Sequence, residues 1–130
     1  VGETEELTAG QLKIAIIDVD FSVVQYLTRV TETIGEVTVF NGGKEFIEKV
    51  QPNQFNLAIT GMYMPEVTGL DVLRFLVEKH IDLPVIVYST IVQKEVIMQT
   101  LRLGASSYLV KPQPAQVITQ KALEIVNAKR

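Results

Sequence analysis

Five times along this chain a short apolar run gives way to an amphipathic helical pattern, and that alternation limits the fold more than any other feature. Ile14-Ala15-Ile16-Ile17 is the first run. It shows no polar alternation, so it reads as a strand buried on both faces. Val23, Leu27, Val30 and Ile34 then recur at helical spacing, with Asp20 or Ser22 placed to cap the helix start and Gly35 to close it. Val37 to Phe40 is the second strand, followed by a turn at Asn41-Gly42-Gly43. Phe46, Ile47 and Val50 mark a short helix that stops before Pro52. Leu57 to Thr60 is the third strand, and Leu70, Leu73, Leu76 and Val77 mark the third helix. Pro84 to Ser89 is the fourth strand, and Val96, Ile97 and Leu101 mark a helix ended by Gly104. Tyr108-Leu109-Val110 is the fifth strand, and Val117, Ile118, Ala122, Ile125 and Val126 give the last helix.

Five βα units in series imply a doubly wound five-stranded parallel sheet with helices on both faces, a three-layer α/β sandwich. In such a fold, function gathers where the carboxyl ends of the strands open into loops. Asp18, Gly61, Ser89 and Lys111 all fall at or just after strand ends. They come from four different strands, so the topology collects them at one edge.

Composition narrows the classes. The 130 residues suit one domain, and 47% hydrophobic against 21% charged residues is an ordinary globular balance. A net charge of −3 gives no general footprint for nucleic acid or an anionic membrane, so no direct nucleic-acid binding and no membrane association are expected. Lys121, Lys129 and Arg130 form a small basic group near one end. The absence of cysteine excludes disulfides, thiol catalysis and cysteine-ligated metals, and fits a cytoplasmic location. Apolar runs fall far short of the ~20 residues of a membrane helix. Residues 1–12 are acidic and polar, unlike a signal peptide, and are expected to be a flexible lead-in to a domain at 13–128. No nucleophile–base pair or phosphate-cradling glycine loop is visible, so no enzyme is expected.

Several segments resemble bacterial response-regulator receiver domains of the flavodoxin-like (CheY-like) type. Ile16-Ile17-Asp18-Val19-Asp20 is similar to the acidic first loop of that family. Pro84 to Ser89 is similar to its fourth strand, which ends in a hydroxyl residue. Gly104-Ala105 through Tyr108-Leu109-Val110-Lys111-Pro112 is similar to its Gly-Ala…Tyr-Leu-x-Lys-Pro signature, in which the Lys-Pro junction is cis. Asn56 to Pro65 resembles the segment carrying the phosphorylated aspartate, four residues before the proline. The similarity covers about Lys13 to Ala128.

The resemblance implies a role for each position. Asp18 matches the first metal-binding acid, Ser89 the hydroxyl and Lys111 the lysine that contacts phosphoryl oxygens. Val19 replaces the second acid and Gly61 replaces the nucleophile. Glycine has no side chain and cannot form an acyl phosphate. The expectation is a pseudo-receiver for two-component signalling with no cofactor and weak or absent Mg²⁺ binding. Asp18 and Asp20 are its only metal candidates, and Asp20 is one position out of register and placed to cap a helix. Lys111 is expected to pair with Asp18.

Tyr108 matches the aromatic that receivers swing as a switch. The plainer expectation is a half-buried edge tyrosine with a wet hydroxyl. Met62-Tyr63-Met64 is either partner surface or loop packing, and His80 is not expected to be a ligand. The resemblance also implies protein–protein contact through the fourth helix, fifth strand and fifth helix: Gln93 to Leu103, Tyr108 to Val110 and Ala115 to Ala128. The partner is an output domain, another protein or a second copy. The alternatives are a small-molecule or anion sensor using space left at Gly61, and a phosphorelay receiver inactivated by substitution.

Overall fold

The computed structural model describes residues 12–129. Five strands, β1 (Leu12–Ile17), β2 (Gly35–Phe40), β3 (Leu57–Thr60), β4 (Val85–Ser89) and β5 (Ser107–Val110), alternate with five helices. The helices are α1 (Phe21–Thr31), α2 (Gly43–Lys49), α3 (Gly69–Glu78), α4 (Lys94–Arg102) and α5 (Ala115–Lys129). The sheet is parallel throughout, in the order β2-β1-β3-β4-β5. This is the expected doubly wound, CheY-like α/β fold.

Why the strands lack polar alternation is visible in the two cores. Side chains along a strand point to opposite faces in turn. Ile14 and Ile16 enter one cluster with Leu27, Val30, Ile118, Ala122 and Val126 of α1 and α5. Ala15 and Ile17 enter the other, with Phe46, Val72, Leu73 and Leu76 of α2 and α3. Val96 of α4 packs against that second cluster. Phe46 is fully buried and meets Phe40 edge to face at 5.2 Å.

Some boundaries differ from the sequence expectation. α1 ends at Thr31, and Gly35 opens β2 instead of closing the helix. A Cβ at Gly35 would stand 2.3 Å from the Leu12 carbonyl oxygen, so the glycine serves strand approach. Pro84 precedes β4, where a missing N–H costs no ladder bond. Gly104 does follow α4, with φ +109°. Val77 is 63% exposed, roughly a quarter-turn from the centre of the buried α3 stripe. Of the expected lead-in, residues 1–11 lie outside the described residues, and Leu12 is a buried member of β1.

Candidate functional site

Parallel register carries the strand ends to one edge. Ile17 pairs with Thr60, Thr60 with Val87 and Ser89 with Val110. The residues that follow are therefore neighbours. The Gly61 N–H donates to the Ile17 carbonyl at 2.9 Å, and the Lys111 N–H to the Ser89 carbonyl at 2.9 Å. Asp18, Gly61, Ser89 and Lys111 meet as the topology predicts, lining a cavity of about 230 Å³. Val19, Asp20, Met62, Tyr63 and Thr90 complete its lining.

Asp18 is buried, and its two carboxylate oxygens differ. Oδ1 accepts the Asp20 N–H at 2.9 Å. Oδ2 is buried with no hydrogen-bond partner. Its nearest cation is the Lys111 ammonium at 3.8 Å, an ionic contact too long for a hydrogen bond. Lys111 also stands 5.5 Å over the Tyr88 ring, so two groups hold its charge. The Asp18–Lys111 pairing expected from the sequence is present.

Gly61 is where the geometry adds most. A Cβ built there would lie 2.6 Å from Asp18 Oδ2. The Asp18 carboxylate therefore occupies the space a side chain at 61 would need. The small cavity expected beside Asp18, Ser89 and Lys111 is present, and Asp18 takes the part of it where a Cβ at 61 would stand.

Asp20 lines the cavity with its carboxylate engaged in capping the next helix. Its Oδ1 accepts the N–H groups of Ser22 at 3.0 Å and Val23 at 3.3 Å, and the Ser22 hydroxyl at 2.8 Å. These bonds, the Ser22 hydroxyl foremost, hold the exposed Asp20 carboxyl below its ordinary range. It is the N-cap of α1. Magnesium, which the resemblance implies, does not fit this donor set. One carboxylate has Lys111 beside its free oxygen, the other caps a helix, and Val19 offers no oxygen side chain. No group of three metal-ligating side chains occurs among the described residues.

The remaining expectations divide. Ser89 Oγ accepts the Ile91 N–H at 3.1 Å, as a strand-end serine that serves nearby backbone. Tyr108 is half-buried on the edge strand as expected, and its hydroxyl donates to the Ile91 carbonyl at 2.9 Å, tying β5 to the β4–α4 loop. Met62 and Met64 are core residues, and only Tyr63 between them stands out, 75% exposed. His80 follows α3 at φ +54°. The Lys111-Pro112 bond is cis. Sequence reading missed Phe21 and Val92, which are 73% and 64% exposed beside the strand-end loops. Their signal was an apolar residue inside a loop or at a helix start, with no partner in the periodic pattern. No helix among the described residues is long and apolar enough to cross a membrane.

Several known proteins resemble this chain. The chain is 28% identical over 88 residues to chemotaxis protein CheY of Thermotoga maritima, covering 67% of this chain and 71% of that protein. It is 27% identical over 109 residues to transcriptional regulatory protein YdfI of Bacillus subtilis, covering 82% of this chain. It is 26% identical over 132 positions to two-component response regulator ARR2 of Arabidopsis thaliana. The chain spans 51% of the length of YdfI and 20% of ARR2. Among solved structures it resembles the receiver domain of Francisella response regulator 1452, with TM-score 0.84 and 23% identity over 92% of this chain and 100% of that one. A receiver domain from Clostridium thermocellum gives TM-score 0.81 and 27% identity over 92% and 97%. Residues 14–123 match the family model described as response regulator receiver domain. The chain belongs to the response-regulator receiver domain family of two-component signalling.

Proposed function

We propose that this receiver domain forms no aspartyl phosphate at position 61, catalyses no reaction of its own, and signals by protein–protein contact in the cytoplasm. The observation that supports this most is the placement of Asp18. Its carboxylate stands where a nucleophile at 61 would begin, and its free oxygen faces Lys111. The lysine that would meet a phosphoryl oxygen is matched by a carboxylate instead.

The contact face is α4–β5–α5. Met98 and Leu101 of α4 and Val117 of α5 are 39%, 40% and 36% exposed, and all four β5 residues are partly exposed. Apolar groups on an edge strand and two flanking helices suit an output domain, another protein or a second copy.

The test has two parts. The chain is incubated with acetyl phosphate and Mg²⁺ and weighed by mass spectrometry, with an active receiver as control. No phosphoryl adduct is expected, and an adduct would overturn the reading. Leu101→Glu is then expected to abolish partner capture or self-association while the circular dichroism spectrum is kept. Unchanged association would remove α4–β5–α5 as the face.

A further inference from the structure

We propose that Asn41, in the turn between β2 and α2, is a modification site at which the side-chain amide is lost through a cyclic imide formed with the Gly42 nitrogen. The products are aspartate and isoaspartate at position 41. The site is independent of how the domain signals.

The reaction needs only the chain and water. The Gly42 amide nitrogen attacks Asn41 Cγ and gives up its proton. The Cγ–Nδ2 bond breaks, ammonia leaves, and a five-membered imide remains. Water then opens the ring at one of its two carbonyls. Opening at Cγ leaves aspartate. Opening at the main-chain carbonyl leaves isoaspartate, with Gly42 joined through Cγ and the main chain one carbon longer.

Three observations single out this residue. Asn41 is exposed, so water reaches its amide. Gly42 carries no Cβ to hinder the approach of its nitrogen. Among the described residues, neither the Asn41 carboxamide nor the Gly42 N–H makes a hydrogen bond, so both reacting groups are uncommitted.

The other three asparagines lack this combination. Asn53 is followed by Gln54, whose side chain crowds the attacking nitrogen. Asn56 precedes Leu57, and its Oδ1 accepts the Lys13 N–H at 2.8 Å. Asn127 lies inside α5, where helical bonding holds the following N–H.

The turn also determines what the change does. The Asn41 N–H donates to Glu45 Oε1 at 2.8 Å and, as the largest cause, holds that carboxyl below its ordinary range. A new carboxylate at 41 stands against this ionised neighbour. The longer main chain of isoaspartate falls between two carbonyls with fixed partners. Phe40 accepts the Asp18 N–H at 3.3 Å, and Gly42 accepts the Phe46 N–H at 3.2 Å in the first turn of α2. A Cβ at Gly42 would lie 3.4 Å from Val19 Cγ1, so the turn borders a residue that lines the strand-end cavity. The modification therefore adds negative charge and displaces backbone at the edge of that cavity.

The experiment ages the full chain in warm, mildly alkaline buffer beside Asn41→Gln and a capped Val-Phe-Asn-Gly-Gly-Lys peptide. Trypsin cleavage after Arg29 and Lys44 separates Asn41 from the other asparagines for mass spectrometry. Conversion at Asn41 should run several-fold faster than at Asn53, Asn56 or Asn127, with isoaspartate the main product by methyl uptake from an isoaspartyl methyltransferase. The converted chain should melt at a lower temperature than aged Asn41→Gln, and its amide NMR shifts should change at Val19 and from Phe40 to Phe46. An intact Asn41 in the folded chain while the peptide converts would overturn the site. Equal rates at Asn53 and Asn41 would overturn its selectivity. Unmoved signals at Val19 and Phe46 in a converted chain would overturn the effect on the cavity edge.

Discussion

Adding a single methyl group at Gly61 should have opposite effects on stability depending on what occupies position 18. Gly61 has no positive φ, so its backbone suits alanine. Restricting the unfolded chain then favours Gly61→Ala by about 0.4–1 kcal/mol. In the natural chain the new Cβ lies 2.6 Å from Asp18 Oδ2, and the carboxylate must retreat by about 0.8 Å to reach ordinary contact. That movement strains the Oδ1 bond to the Asp20 N–H and the ionic contact with Lys111. Loss of one charge-assisted hydrogen bond costs about 1.5–3 kcal/mol. Gly61→Ala should therefore destabilise the natural chain by about 1 kcal/mol, roughly 3–5 °C in Tm for a domain of this size. In an Asp18→Ala background the obstruction is gone, and the same change should stabilise. Urea unfolding of the four proteins gives the cycle directly, provided the m-values agree. A Gly61→Ala effect of the same sign in both backgrounds, with coupling below about 0.5 kcal/mol, would refute the claim that Asp18 occupies the position-61 space.

Other expected outcomes follow from the same structure. Phe46→Ala should cost about 3–5 kcal/mol by urea unfolding, since the ring is fully buried against Phe40. Thr68→Ala should cost about 1 kcal/mol, because Thr68 and Asp71 form a reciprocal capping box at α3. The Thr68 N–H above all, with the Thr68 hydroxyl and Arg74, holds the Asp71 carboxyl below its ordinary 3.8. Its contribution is therefore complete above the unfolded value and lost as pH falls through the lower folded one. Asp71→Asn should flatten the acid limb of a stability–pH profile below about pH 4 and leave its shape near neutrality unchanged. His80→Gly should raise stability by a few tenths to about 1 kcal/mol in thermal unfolding, because φ +54° suits glycine.

The fold was legible because burial on both sheet faces leaves a coarse mark. Ile14 to Ile17 and Val85 to Tyr88 are apolar without interruption because each successive residue meets a different helical layer. Boundaries were less legible where one residue type serves two purposes. Gly35 carried the mark of a helix stop, yet its missing Cβ admits the Leu12 carbonyl. Val77 kept the helical spacing, yet sits beyond the edge of the buried stripe. Neither distinction exists until strands are paired and helices packed. That is a tertiary fact, and local spacing does not encode it.

The site divides in the same way. Its membership could be read, since strand ends of a parallel sheet share an edge, and Asp18, Gly61, Ser89 and Lys111 do line one cavity. The orientation of each side chain could not. Removing a side chain at 61 suggested a cavity, and one is there, but spacing alone does not tell that Asp18 Oδ2 stands where a Cβ at 61 would. That oxygen faces Lys111 at 3.8 Å without a hydrogen bond. Tyr108 could be read as a half-buried edge tyrosine, but not its bond to the Ile91 carbonyl of the β4–α4 loop. A loop mark also separates Tyr63 from its neighbours. Met62 and Met64 take alternate inward positions, leaving the aromatic between them outside. The edge keeps its lysine, pairs it internally with Asp18 and stands among exposed apolar side chains, an arrangement that agrees with the proposal that the domain passes no phosphoryl group.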